Sequence, residues 1–156
     1  MKKLTIFLLS SVLLFGAAAC GNNAKTSADA PDSTKEAPQA PKAESVQKTK
    51  EDATDTTRRK QLNADIKARE ERNNVTGGDT KRADGDLESE VRSKLEANIP
   101  DGELTVKAEK GVVTVAGTVP KQEQLDKIKT LAKEIKGVQT VNVKATVAAP
   151  KSKGKS

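Results

Sequence analysis

The apolar positions of this chain fall into two unlike territories. From Asp84 to Val147 they recur with helix and strand periods, whereas between residues 21 and 83 they are too sparse to line a core. "DGDLESEVRSKLEANIPDG" sets Leu87, Val91 and Leu95 at i, i+4 and i+8, with Ile99 extending the stripe, so the spacing predicts a helix with one apolar face. Asp84 or Asp86 is placed to cap its N-terminus, and Pro100-Asp101-Gly102 is a turn that stops it. Leu104, Val106 and Ala108 then alternate in "ELTVKAE", and Val113, Val115 and Val119 alternate with Thr114, Ala116 and Thr118 in "GVVTVAGTV". Lys110-Gly111 lies between these two runs, which makes them a hairpin. Pro120 opens a second helix in which Leu125, Ile128, Ala132 and Ile135 share a stripe beside Leu131, with Lys133 and Lys136 in the last turn and Gly137 as its C-terminal cap. In "VQTVNVKATVA", Val141, Val143, Ala145 and Val147 alternate as a third strand.

The order predicts the α+β class: one αββαβ module over residues 84–147, with a three-stranded mixed sheet covered on one face by two helices. The crossover into the last strand should be right-handed. Val112, Thr114, Ala116 and Thr118 would form the open side of the central strand. Gly117 within a strand reads as a bulge or a close backbone approach, and Gly111 as the turn residue.

Upstream, Lys2 and Lys3 precede the apolar run "LTIFLLSSVLLFGAAA", which ends in small residues before Cys20. This is the pattern of a secretory signal peptide over residues 1–19, since the run is shorter than the ~20 residues of a membrane-spanning helix. "AAAC" resembles the bacterial lipoprotein box, which implies acylation of Cys20. Residues 20–53 are dominated by Ala, Pro, Ser, Thr, Lys and Glu with Val46 as one large aliphatic, so the sequence predicts a disordered tether. Residues 54–83 hold a helical spacer and linker, with Leu62 and Ile66 four apart and an Asp65–Arg69 pair. Residues 148–156 form a basic disordered tail.

Composition narrows the chemistry. Without residues 1–19 the chain has no His, Phe, Tyr, Trp or Met, and Cys20 is its one cysteine. That excludes a nitrogen/sulfur zinc site and a His-activated nucleophile, so neither a metal nor another cofactor is expected, and no enzyme activity. Stacking on nucleic-acid bases is likewise unavailable. The expected module carries ten basic and eleven acidic residues, so the basic excess lies outside it, including Lys151, Lys153 and Lys155 in the tail. Those three lysines are the candidate contacts to an anionic surface.

The stretches "DLESEVRSKLEAN", "LTVKAEKGVVTVAGTVP" and "QLDKIKTLAKEIKGVQTVNVKATV" together resemble the BON (bacterial OsmY and nodulation) domain family, here in a single-copy lipoprotein form. The likeness rests on Gly111, Val113, Val115, Gly117, Val119, Gly137, Val138, Val141 and Asn142, with Gly111, Gly117 and Gly137 as its structural signature. The resemblance implies an exported envelope protein associated with envelope integrity and osmotic stress, whose module contacts phospholipid, especially anionic lipid. The alternative is a protein-interaction or structural module that engages another envelope component. Gly21 follows Cys20 where enteric inner-membrane lipoproteins carry Asp, which points to the outer membrane facing the periplasm, or to the outer face of the plasma membrane in a single-membrane cell.

Overall fold

The computed structural model describes residues 23–76 and 82–151. In chain order it contains β1 (Ala24–Lys25), α1 (Ala43–Thr54), α2 (Thr56–Thr76), α3 (Asp84–Asn98), β2 (Glu103–Glu109), β3 (Val112–Val119), α4 (Gln122–Lys133), β4 (Thr140–Val143) and β5 (Thr146–Val147). From α3 onward the elements follow the αββαβ order, and β2 and β3 have the bounds the alternation predicts.

The sheet is mixed. β2 pairs with β3 in antiparallel register, from Glu103 opposite Thr118 to Glu109 opposite Val112. β4 and β5 both run parallel to β3 and continue one register, Val115 beside Val143 and Thr118 beside Thr146. They are the expected third strand, interrupted at Lys144-Ala145 opposite Ala116-Gly117. β1 adds a further, antiparallel strand beside β2, so the three-stranded expectation is corrected to a path β1-β2-β3-β4, with β5 also on β3.

The stripes read from sequence meet on one face of this sheet. Leu87, Val91, Leu95 and Ile99 from α3, with Ile128, Ala132 and Ile135 from α4 and its C-terminal turn, pack over Leu104, Val106, Val113, Val115, Val119 and Val141. α3 begins without a side-chain cap, contrary to expectation: Ala83 occupies the cap position. The Asp84 carboxylate instead accepts the Lys110 N–H at 2.8 Å, and Asp86 is engaged by Arg69 at 2.6 Å.

The opposite face is not open. The segment expected as a tether is corrected from residue 23 onward: it forms β1, crosses the sheet and ends in α1. The Thr26 hydroxyl donates to the Gly102 carbonyl at 2.8 Å, the Thr105 hydroxyl to the Pro31 carbonyl, and the Ser45 hydroxyl to the Glu103 carboxylate. Ala116 and Thr118 are therefore buried, while Val112 remains at the border of exposure and Thr114 is half-buried. A segment poor in apolar residues orders here because it covers a sheet that already exists and satisfies its polar groups on it. The first residues of the expected tail are ordered too, with the Lys151 N–H donating to the Pro41 carbonyl at 2.8 Å.

α2 packs on the outer side of α3 rather than standing free as a spacer. Asp55 caps it by accepting the N–H groups of Thr57 and Arg58 at 2.8 and 3.0 Å. Leu62 is its one fully buried aliphatic among the described residues. Arg58 pairs with Glu96 at 2.6 Å, Ser93 donates to Asp65 at 3.0 Å, and Arg69 bridges Asp65 and Asp86.

Gly117 is the point at which the sheet tolerates least. Its φ is +123°, and a Cβ there would lie 2.0 Å from the Glu103 carbonyl oxygen on the neighbouring strand. Gly117→Ala should cost about 3 kcal/mol or more, combining a left-handed backbone with a backbone clash. The check is chemical denaturation followed by far-UV circular dichroism; an unchanged midpoint would contradict the assigned strand contact.

Candidate functional site

The two ends of the sheet differ. At one end lies the hairpin tip, Lys110-Gly111, with φ of 50° and 79°. Positive φ at both central residues defines a type I′ turn, a conformation that favours Asn-Gly and places Lys110 under mild strain. Gly111 is needed at its position twice over. Its backbone is left-handed, and a Cβ would meet the Gln139 side chain at 3.1 Å, while the Gly111 carbonyl accepts the Gln139 N–H at 2.8 Å.

Gly137 reaches the same end by a different route. It is not the C-terminal cap of α4 that the sequence predicts, a position Glu134 takes, but follows it with φ +91°, and a Cβ there would stand 2.9 Å from Cδ of Arg82. The missing side chain leaves room for the aliphatic stem of Arg82. Between hairpin tip, Gly137 loop and α3 start lies a cleft of about 530 Å³, lined by Arg82, Asp84, Leu87, Lys110, Gly111 and Gln139 among others. Two of the three signature glycines thus share one cleft, and Gly117 lies toward the other end of β3. A second cleft, of about 300 Å³, lies between the crossing segment 28–39 and the sheet at Glu103 and Thr118.

Beneath the first cleft is a pair that sequence reading did not isolate. Arg82 donates to Glu90 at 2.7 Å with both side chains fully buried. Nε and Nη2 of Arg82 and Oε1 of Glu90 have no hydrogen-bond partner. Burial pushes the Glu90 carboxyl up to about 7; the Arg82 charge opposes that rise, while Glu70 on α2 and Asp86 on α3 add to it. Position in "DLESEVRSKLEAN" could not reveal this. Glu90 lies off the apolar stripe, and only the docking of α2 and Arg82 removes that face of the helix from water.

The other expected residues are dispersed. Lys151 is exposed, beside Lys42 in an isolated parallel bridge at the end of the sheet remote from the hairpin tip. Cys20, Lys153 and Lys155 lie outside the described residues. Among the described residues no group of three or more His, Cys, Asp or Glu side chains is arranged to hold a metal ion, and no helix is long and apolar enough to cross a membrane. Lys107 ion-pairs with Glu88 at 2.9 Å, and that hydrogen bond holds its ammonium above the usual lysine range.

Because Glu90 binds its proton more tightly folded than unfolded, its contribution to stability is complete below about pH 4.5. It is lost as pH rises to about 7. Stability should fall across that window by an amount on the order of 2–3 kcal/mol from this group, and Glu90→Gln should flatten the slope. Denaturation midpoints of both proteins from pH 5 to 8 provide the check. Parallel profiles would remove Glu90 as the titrating group.

Comparison with known families places the module. The BON domain profile matches residues 83–149, which span α3 to β5 and include the hairpin and all three signature glycines. No curated protein and no solved structure gives a significant match to the chain. Residues 83–149 therefore form a BON domain.

Proposed function

We propose that this is the single-copy lipoprotein form of the family: an exported envelope protein, acylated at Cys20, whose BON module binds the phospholipid surface to which the anchor holds it. Its role is in envelope integrity or osmotic stress. It is a binding module rather than an enzyme and requires no cofactor. The observation that carries the reading is the coincidence in one chain of a lipoprotein box at Ala17–Cys20 with a BON domain, a family associated with phospholipid binding and envelope stress. Two or three acyl chains at roughly 0.8 kcal/mol per buried CH₂ would make the anchorage effectively permanent. A weak intrinsic affinity of the module then suffices, because the anchor raises its effective concentration at the surface. The membrane is the outer membrane on its periplasmic side, or the outer face of the plasma membrane where there is a single membrane.

The second reading, a protein-interaction module, finds support at the free edge of β4 and β5. Val143 and Val147 are 37% and 42% exposed there, and an unpaired edge is a template for another strand.

The experiment is vesicle flotation of the lipid-free mature chain, Cys20→Ala, carrying a fluorescent label. The chain is kept whole because β1, α1 and α2 pack on the module. Binding to anionic vesicles at low salt, weakened at moderate salt and absent on neutral vesicles, is the expected result. Failure to float with anionic vesicles at low salt would refute lipid recognition and leave the protein-interaction reading.

A further inference from the structure

We propose that the hairpin-tip end of the module, led by Lys110, is the surface that lies against an anionic lipid bilayer, with Lys151 at the opposite end. This orientation rests on the acylation of Cys20 proposed above and goes beyond it by naming the contact surface.

β1 runs antiparallel to β2, with Ala24 opposite Val106 and Lys25 opposite Thr105. A chain entering β1 therefore comes from the side of Glu109 and Lys110. Cys20 precedes Ala24 by four residues, which span at most about 14 Å. The four residues from Val106 to Lys110 cover about the same length of strand. An acyl group on Cys20 can therefore lie no more than about 14 Å of chain from the start of β1, a reach that ends level with the hairpin tip.

The hairpin-tip end presents both cationic and apolar side chains. Lys107, Lys110 and Lys136 are exposed there, as are Val112 at 36% and Val75, in the last turn of α2, at 87%. α2 brings Val75 to this end because it lies antiparallel to α3, with Arg58 on Glu96 and Arg72 on Asp86. Acids are interspersed with these cations, and Lys107 is paired with one of them. Asp84 accepts the Lys110 N–H, Glu88 holds Lys107, and Glu71 pairs with Lys67; Glu109 is exposed. Cations interspersed with protruding apolar side chains match the headgroup region of an anionic bilayer.

The type I′ turn puts a lysine, with φ 50°, where Asn or Gly is conformationally better. A strained residue at the tip of a hairpin invites a functional reading, here a cation held out at the turn between β2 and β3. By contrast, Lys151 sits past Val119, an eight-residue strand of roughly 27 Å from the tip.

The test uses the full lipidated chain in vesicles containing anionic lipid. Acylation leaves an introduced cysteine as the one free thiol, so an environment-sensitive fluorophore is attached at Lys110→Cys, Gln139→Cys or Lys151→Cys. Gln139 is exposed beside the tip and stands in should Lys110→Cys disturb the turn. Labels at 110 and 139 should be quenched at least twofold more than the label at 151 by headgroup-borne quenchers. On the lipid-free chain, Lys110→Asn, which suits the turn, should weaken binding to anionic vesicles about fivefold, and Lys151→Asn should not. Equal quenching at all three sites, or strongest quenching at 151, would overturn the orientation. Intact mass separates the two readings: an unacylated Cys20 defeats the anchor and the orientation together, whereas an acylated chain with the wrong quenching pattern defeats the orientation alone.

Discussion

The β2–β3 ladder is the interaction on which the other elements of the BON module hang. β2 carries β1 on its free side, β3 carries β4 and β5 on its own, and the inner faces of both supply the floor under α3 and α4. The ladder closes only because Lys110 and Gly111 accept positive φ at its tip and because Gly117 lets the Glu103 carbonyl approach to a distance no side chain permits. Displacement of either strand would expose the apolar stripes of both helices and remove the surface on which residues 23–45 are ordered.

Two kinds of cohesion are layered on this frame. Between helices and sheet the contact is mostly aliphatic, built from Val, Leu, Ile and Ala without an aromatic ring, with the Glu88 and Asp84 carboxylates bonded to the sheet at its border. Between α2 and α3 the contact is mostly ionic, with Leu62 buried among Arg58, Asp65, Arg69, Asp86, Arg92 and Glu96. Partly buried charge pairs gain little net stability over the hydration they give up, but each leaves an unpaired charge if its partner is lost. The fully buried Arg82–Glu90 pair is the extreme case, with three of its polar atoms unsatisfied. It lies directly under the cleft that Gly111 and Gly137 help to shape, so the charge state of the interior and the geometry of the hairpin-tip end are neighbours.

The two ends of the module are not equivalent: one gathers the hairpin tip, two signature glycines and the start of β1, and the other gathers α1, Lys42 and Lys151. The basic C-terminal residues are the more conspicuous cationic feature in sequence, but Lys151 lies at the end opposite to the start of β1.

The elements of the module were legible in the sequence because each has a period that local chemistry imposes. The i, i+4 stripes of Leu87–Ile99 and Leu125–Ile135, the alternation in 103–119, and Gly at the hairpin turn specify helices, hairpin and third strand without reference to anything distant. The signature glycines could be assigned a structural role on the same grounds. Which of them share a cleft could not, since Gly111 and Gly137 meet only after α4 crosses over the sheet. The order in residues 23–54 was also invisible. Thr26, Thr105 and Ser45 bond to groups some 60 to 80 positions away, and a polar segment has no periodicity to betray such contacts. Composition therefore predicted a tether, while tertiary structure supplied the partners that order it. The same holds for Glu90: its identity is written in the chain, but its burial, and with it its raised affinity for a proton, was decided by the packing of Arg82 and α2.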